Sequence, residues 1–220
     1  MELEQMDNFF TKRLDMYDVH MMNDVEGCRE GYKHMAALLP ENTKTLLDLG
    51  CGTGLELVPI FVRFPRLAVT GIDLSLAMLA RLQAKFPGKD LTLLCGSYIG
   101  RDFGSRQFDA AVSFETLHHL SHEAKVSVYS AVREALKEGG IYLECDFAAA
   151  SQKEEETFYA ENERLRREQN IPRGEICHFD TPCTAEHEIA MLRKAGFQSA
   201  EKVWQQCGSH LFSGSRATRY

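Results

Sequence analysis

The chain has 220 residues, of which 44% are hydrophobic and 26% are charged. This length and this balance are typical of one globular domain with a sizeable core, and they exclude a disordered or fibrous chain. The formal net charge is -7 and the isoelectric point is near 5.6. Because the chain lacks the positive field that attracts polyanions, we expect no nucleic-acid partner.

The cysteine spacing and the hydropathy of the chain indicate the cellular compartment in which the protein is located. The seven cysteines include no closely spaced pair of the metal-ribbon or redox type, which favours free thiols in a reducing cytosol. The N-terminus has no secretory apolar run, and no stretch approaches the roughly 18 apolar residues of a membrane helix. We therefore expect a cytoplasmic protein without membrane contact, present as a monomer or a homodimer.

The predicted elements begin with helix and continue as alternating strands and helices. Residues 1–44 are amphipathic at helical spacing and are predicted to form an N-terminal helical lid or substrate cap. Strands are predicted at 45–49, 67–72, 91–95, 108–114, 141–145, 199–206 and 210–218, and helices at 55–64, 75–86, 121–136 and 184–195. Such alternation predicts a parallel sheet with helices on both faces, and the last two strands predict an antiparallel hairpin.

Residues 151–170 interrupt this alternation with a strongly charged segment, SQKEEETFYAENERLRREQN. Phe158 and Leu165 are seven positions apart and share one helical face. The pattern favours a solvated helix inserted after the fifth strand, and it leaves open a helix that caps the substrate.

The main local signal is LLDLGCGTG at residues 46–54, where the first predicted strand ends. Glycines in a strand-to-helix turn expose backbone amides and a helix N-terminus to a ligand. After Gly50 and Gly52 the dinucleotide pattern requires glycine at position 55, where Leu55 stands, while Gly54 is one residue early. Asp48 would repel a pyrophosphate but suits a ligand that carries an ammonium group.

A second acid, Asp73, follows the second predicted strand about twenty residues after the loop. A carboxylate at this position can accept hydrogen bonds from both hydroxyl groups of a ribose. The glycine loop, Asp48 and Asp73 at neighbouring strand ends therefore predict an adenosyl ligand with a charged amino-acid portion.

On these motifs, residues 46–146 resemble a class I S-adenosylmethionine-dependent methyltransferase of the small-molecule type. FDAAVSFETLHHL (108–120) and LKEGGIYLECDF (136–147) are similar to the family's fourth and fifth strand segments. The resemblance implies a Rossmann-like, doubly wound, mostly parallel seven-stranded sheet over 45–220, with an insertion at about 147–183. It implies S-adenosylmethionine as cofactor, S-adenosylhomocysteine as product, and cofactor contacts from Asp48, Gly50, Cys51, Gly52, Gly54, Asp73, Leu74, Ser97, Tyr98, Phe114 and Tyr17.

Several candidate residues contact the cofactor or the acceptor in this interpretation. Ser97 stands where the family commonly has an acid that binds the adenine amino group, and Tyr98 could pack on the ring. His118 and His119 follow the fourth strand, where they either enclose the cofactor or act as a general base. The resemblance of the first helix to a lid helix places Tyr17 and His20 in the acceptor pocket, alongside His118.

We expect no metal site, because the spacing of Cys177, His178, Cys183 and His187 is not a standard zinc pattern. Two alternatives to methyl transfer remain. One is a carboxy-S-adenosylmethionine synthase, although that enzyme needs an arginine where Met191 stands, two residues before Arg193. The other is a non-catalytic module that binds S-adenosylmethionine.

Overall fold

The computed structural model describes residues 1–172 and 174–217. Its strands are β1 (Thr45–Leu49), β2 (Ala68–Asp73), β3 (Asp90–Cys95), β4 (Phe108–Phe114), β5 (Leu136–Phe147), β6 (Ser199–Gln206) and β7 (Ser209–Ser215). Its helices are α1 (Met6–Asn23), α2 (Cys28–Leu38), α3 (Leu57–Arg63), α4 (Leu76–Lys85), α5 (His122–Ala135), α6 (Gln152–Glu168) and α7 (Ala185–Lys194), with a short 3-10 turn at Leu117–His119. The predicted strand 210–218 ends at Ser215, and Thr218 lies outside the described residues.

The strands form one sheet in the order β3-β2-β1-β4-β5-β7-β6. Strands β1 to β5 pair in parallel, whereas β7 runs antiparallel to both β5 and β6. The predicted doubly wound sheet with a closing hairpin is thereby confirmed. The strand order reverses between β1 and β4, and in open sheets of this kind ligands bind at the carboxyl ends of the strands beside such a reversal.

Helices cover both faces of the sheet, which explains why its central strands are apolar at consecutive positions. In β1, Leu46 and Leu47 are both fully buried but belong to two different core clusters. Leu46 packs with residues of α2 and α3, and Leu47 packs with residues of α5 and α7. Burial on both faces fixes the position of the loops that follow each strand. None of the helices in the described ranges is long and apolar enough to cross a bilayer.

The boundary between α5 and β5 differs from the prediction. The sequence predicted a helix to residue 136 that Gly139 and Gly140 terminate, but α5 ends at Ala135 and Leu136 is already extended. Phe108 pairs with Leu136 and Ala110 pairs with Ile141, so residues 137–140 bulge out of the ladder. The two glycines therefore accommodate a bulge within β5 rather than a helix end.

The predicted N-terminal cap is helical, but its two helices differ in packing. Tyr32 and Met35 of α2 are 4% and 0% exposed and belong to the main core. Helix α1 instead crosses the loops that follow β1 and β2, and its Val19 is 51% exposed. Only α1 is therefore placed to cover the carboxyl edge of the sheet.

The inserted segment has a small core of its own. Leu165 of α6 packs with Leu3, Cys177 and Phe179, and all four are buried. Residues 4–6 run beside 176–178, where Met6 donates its backbone N–H to Ile176 and His178 donates to Glu4. The solvated helix that the charge pattern favoured is thus joined to the N-terminal segment.

The turn after β1 depends on a glycine at position 50. Gly50 has φ +64°, and a Cβ atom there would lie 2.2 Å from the Thr116 hydroxyl oxygen and 2.7 Å from Thr116 Cβ. Gly88 has a similar φ of +78° but has open space around the equivalent position. An alanine would strain the backbone at both positions, but it would clash with a neighbouring residue only at position 50.

We predict that Gly50→Ala lowers the free energy of unfolding by about 2–5 kcal/mol, because the strained backbone and the clash with Thr116 both contribute. Gly88→Ala, the matched control, should lower it by about 1–2 kcal/mol from backbone strain alone. Chemical denaturation of both variants measures the difference. Equal losses would show that the contact between Gly50 and Thr116 does not constrain the turn.

Candidate active site

A cleft opens at the carboxyl ends of β1, β2, β3 and β4, where the strand order reverses. The loops after these strands form its floor, while α1 and the inserted segment cover it. Its lining comprises Met6, Asp7, Phe10, Gly50, Asp73, Leu74, Ser75, Ser97, Tyr98, Ile99, Thr116, His119, Leu120 and Ile176. Of the predicted cofactor residues, the cleft therefore brings together Gly50, Asp73, Leu74, Ser97 and Tyr98.

Asp73 ties the loops that follow β1 and β2 together. Its Oδ2 accepts a hydrogen bond of 2.9 Å from the Gly52 backbone N–H, and its Oδ1 accepts one of 2.8 Å from Ser75 N–H. Burial raises the pKa of Asp73, although these two hydrogen bonds oppose the shift. A carboxylate has about four acceptor sites, so two remain for the hydroxyl groups of a ligand.

Helix α1 lies across the glycine loop. A Cβ atom at Gly52 would lie 3.7 Å from the Tyr17 hydroxyl oxygen, which places the Tyr17 ring over the loop. Asp18 accepts hydrogen bonds from the Thr53 hydroxyl and from Lys85 Nζ, the latter at 2.8 Å. These polar contacts hold α1 against the loop, and Met21 of α1 packs in the main core.

Two buried carboxyl groups flank the glycine loop. Asp48 and Glu56 are 1% and 5% exposed, and both Asp48 oxygens and one Glu56 oxygen lack a hydrogen-bond partner among the described residues. Burial raises the pKa of Glu56 to about 7, and burial together with the Glu56 charge raises the pKa of Asp48 well above its usual value. The pair fits a cationic group, because a positive charge beside it would stabilise both carboxylates.

The other predicted cofactor residues lie outside the cleft lining. Cys51 is buried, with its Sγ 2.8 Å from the position that a Gly71 Cβ would take. Phe114 stacks on Tyr32 at a ring-centroid distance of 3.9 Å. Gly54 faces Leu82 of α4, where a Cβ atom would lie 3.0 Å away. These residues shape the loop and the core beneath it.

His118 and His119 lie in the turn after β4, next to the end of β5. Nδ1 of His118 is 2.5 Å from Oδ1 of Asp146, and the His118 side chain is 8% exposed. Burial alone would lower the pKa of His118, but the Asp146 carboxylate outweighs it and raises that pKa well above the usual value. Burial and the neighbouring His118 lower the pKa of His119. The two rings therefore have opposite charge preferences.

The remaining candidates are dispersed. His20 is exposed on α1, where Nδ1 lies 3.1 Å from Asp24, and it is not among the cleft residues. Cys177 packs in the small core of the insertion, whereas Cys183 lies in the core beneath α5 and α7. His187 pairs with Glu155 of α6 at 2.8 Å. The clustered cysteines and histidines of residues 177–187 thus do not converge on one point.

Part of the cleft lining has no counterpart among the residues that the sequence predicted. Phe10 and Ile176 come from opposite ends of the chain and meet only through long-range packing, for which one sequence carries no signal.

Glu115 has φ +47°, which is uncommon for a residue other than glycine, and burial and Asp146 raise its pKa to about 7. Strained backbone of this kind concentrates at functional sites. Its position directly after β4 was the available clue.

The sheet order and the cleft define a Rossmann-like domain of the methyltransferase type, and comparisons with known proteins agree. Residues 46–140 match the family described as methyltransferase domain. An uncharacterized methyltransferase of Mycobacterium tuberculosis is 33% identical over 84 residues, which are 38% of this chain and 42% of the relative. Carboxy-S-adenosyl-L-methionine synthase of Campylobacter curvus is 26% identical over 185 residues, covering 78% and 76% of the two chains.

A solved S-adenosylmethionine-dependent methyltransferase from Mesorhizobium loti superimposes with a TM-score of 0.61 at 21% identity, covering 83% of this chain and 96% of that one. Residues 46–140 are thus similar to a methyltransferase domain, and the fold of the chain is that of S-adenosylmethionine-dependent methyltransferases. The chain spans 42% of the length of the mycobacterial relative that it matches.

The buried pair beside the loop predicts a pH dependence of stability. A carboxyl group whose pKa is 4.5 when unfolded and about 7 in the folded chain, as for Glu56, binds its proton more tightly in the folded state. Stability is therefore lost as the pH rises from about 4.5 to 7. We predict that Glu56→Gln reduces the loss of unfolding free energy between pH 5 and pH 8 by about 1–3 kcal/mol.

Urea denaturation at the two pH values measures this change. Glu41 lies at an exposed position before β1, so Glu41→Gln is the control and should keep the pH dependence of the unchanged protein. If Glu56→Gln and Glu41→Gln behave alike, the pair beside the loop does not hold the proton that its burial indicates.

Proposed function

We propose that this protein transfers a methyl group from S-adenosylmethionine to a small-molecule acceptor. One observation carries the proposal: the glycine turn, Asp73 and the loop at Ser97 and Tyr98 converge on one cleft, and a buried carboxyl pair, with oxygens that lack a hydrogen-bond partner among the described residues, flanks the turn. A dinucleotide would bring a pyrophosphate to the same turn, which Asp48 and Glu56 would repel.

The residues around the cleft match the parts of the cofactor. Asp73 would accept from the ribose hydroxyls while it holds the turn through Gly52. The Ser97 hydroxyl would accept from the adenine amino group, and Tyr98 would pack beside the ring, fixed by the hydrogen bond of 3.0 Å that its hydroxyl donates to the Thr116 carbonyl. Asp48 and Glu56 would attract the positive charges of the methionine portion.

When bound, S-adenosylmethionine supplies an electrophilic methyl group on a positively charged sulfur that is also a good leaving group. The protein then has two tasks, which are to align the acceptor and to exclude water. Met6 and Phe10 of α1 present apolar surface to the cleft, so α1 would exclude water once both ligands are in place. His119 lines the same cleft, and a role for His118 and His119 in activating the acceptor stays a prediction.

An open groove on the outer side of residues 178–180 is our proposed acceptor entrance. Helix α6 contributes Glu154, Phe158 and Glu161 to it, which favours the substrate-capping interpretation of the inserted helix. The described lining includes the carboxylate of Asp180 but no lysine or arginine. The groove therefore favours a neutral or cationic acceptor over an anionic one.

The alternative of a carboxy-S-adenosylmethionine synthase rests on the Campylobacter relative, which matches this chain over most of its length. That reaction uses a second substrate with a carboxylate, which an arginine must hold. Met191 is 6% exposed within the core, and Arg193 donates to the carbonyl of Ala200. Neither residue is among the cleft residues, so we favour methyl transfer.

Substitution of Asp73 tests the cofactor assignment. We predict that Asp73→Asn weakens binding of S-adenosylmethionine and of S-adenosylhomocysteine by about 1–3 kcal/mol, because the amide N–H₂ opposes the Gly52 N–H donor and the charge is lost. Isothermal titration calorimetry measures the affinity. Asp90→Asn at the exposed start of β3 is the matched control and should bind like the unchanged protein. Equal affinity of all three proteins would remove Asp73 from the cofactor site.

Incubation with methyl-labelled cofactor and a pool of small metabolites, followed by mass spectrometry, tests the transfer itself. A labelled neutral or cationic product that Asp73→Asn fails to form supports methyl transfer. Tight cofactor binding without any labelled product would favour the non-catalytic binding module. Tight binding of NAD in place of S-adenosylmethionine would overturn the proposal.

A further inference from the structure

Three side chains beside the cleft converge on one oxygen at distances longer than a typical hydrogen bond. Oδ1 of Asp180 lies 3.5 Å from Nε2 of His118, 3.4 Å from Nδ1 of His119 and 4.0 Å from Nε2 of His178. N–H donors normally lie 2.7–3.2 Å from oxygen. The ligand atoms of His118, His119 and Asp180 all lie within 4.8 Å of one another.

This spacing is that of atoms around a metal ion. Zinc binds imidazole nitrogen and carboxylate oxygen at about 2.0–2.1 Å in a tetrahedron, whose edge is then about 3.3 Å. The separations of 3.5 and 3.4 Å from Asp180 to the two histidines are close to that edge. Two histidines and one carboxylate with a fourth position open form a ligand set of catalytic zinc sites.

The carboxyl groups next to His118 are also arranged as they are in metal sites. Nδ1 of His118 faces Asp146 at 2.5 Å, which fixes the ring and directs Nε2 towards Asp180. Carboxylates commonly hold metal-binding histidines in this way. Glu115 lies 3.6 Å from the same Nδ1, so three carboxyl groups surround two imidazole rings. A divalent cation would balance this negative charge.

We propose that His118, His119 and Asp180 bind a divalent transition-metal ion, zinc in the first place, between the cofactor cleft and the outer groove. His119 lines the cleft and Asp180 lines the groove, so the open position is accessible to an acceptor. Nδ1 of His119 also lies 3.2 Å from the Phe179 carbonyl. A proton held there, and the proton on Nε2 of His118, must both leave to solvent when the ion binds. The ion replaces the base role that the sequence predicted for the histidine pair.

The consequence for the reaction rests on the proposed function. An acceptor hydroxyl bound at the open position loses its proton to solvent more readily, because the ion stabilises the oxyanion. The oxygen lone pair then forms the new bond to the methyl carbon, the bond from carbon to sulfur breaks, and its electron pair stays on sulfur. The acceptor class is therefore a hydroxyl compound that can coordinate a metal.

A second cluster of similar composition provides a control. Oε1 of Glu155 lies 2.9 Å from Nε2 of His122 and 2.8 Å from Nδ1 of His187, and Oε2 accepts from the Thr184 N–H at 2.7 Å. The Glu155 carboxylate is thus already within hydrogen-bonding distance of its neighbours, unlike that of Asp180. His187→Gln alters this cluster without touching the proposed site.

The test is titration of the metal-free protein with Co²⁺ and Zn²⁺, followed by calorimetry and visible absorption. We expect one ion per chain, proton release that calorimetry detects in buffers of different ionisation enthalpy, and a tetrahedral Co²⁺ spectrum without thiolate charge-transfer bands. Asp180→Asn and His119→Gln should abolish the stoichiometric binding, and Asp146→Asn should weaken it by about 10–100-fold. His187→Gln should bind as the unchanged protein does.

Binding that Asp180→Asn leaves intact, or that His187→Gln abolishes, would overturn the metal site, as would the absence of binding to the unchanged protein. Urea denaturation of the same variants reports whether they fold. Loss of metal binding by a variant that unfolds at the same urea concentration as the unchanged protein supports the assignment of the ligands. Failure of the unchanged protein to bind the nucleoside would reject the proposed function while the metal titration still decides the site.

Discussion

The carboxylate of Asp73 is the constraint on which the cleft depends. It holds the Gly52 and Ser75 amides at once, and so it joins the turns after β1 and β2 into one rigid edge. Gly50 can sit against Thr116 only because that edge is fixed, and the loop after β4 is positioned in turn. One carboxyl group therefore joins the loops after β1 and β2, against which the loop after β4 packs.

The sequence predicted the sheet, its order of elements and the centre of the cleft, because those features follow from local signals. Apolar runs mark β1 to β5, glycine marks the turn, and Asp73 follows its strand directly. Predictions that needed distant contacts were incomplete: α2 packs in the core rather than in a cap, and Ile176 reaches the cleft from the insertion. The bulge at Gly139 and Gly140 was not predicted, because glycine is common both at the ends of helices and in β-bulges.

Charge is concentrated at the carboxyl edge of the sheet. Asp48 and Glu56 flank the glycine turn, and Glu115 and Asp146 surround His118, yet most of these side chains are buried. Apolar packing beneath them must compensate for keeping such groups out of water. The arrangement is costly for an isolated protein and favourable once cations occupy both positions.

The backbone pairing between residues 4–6 and 176–178 couples two covers that are far apart in the chain. Helix α1 closes the cleft from one side and the segment after α6 closes it from the other, but hydrogen bonds at Met6 and His178 join their edges. The two covers are therefore held together by backbone hydrogen bonds, and separating them would break the bonds at Met6 and His178.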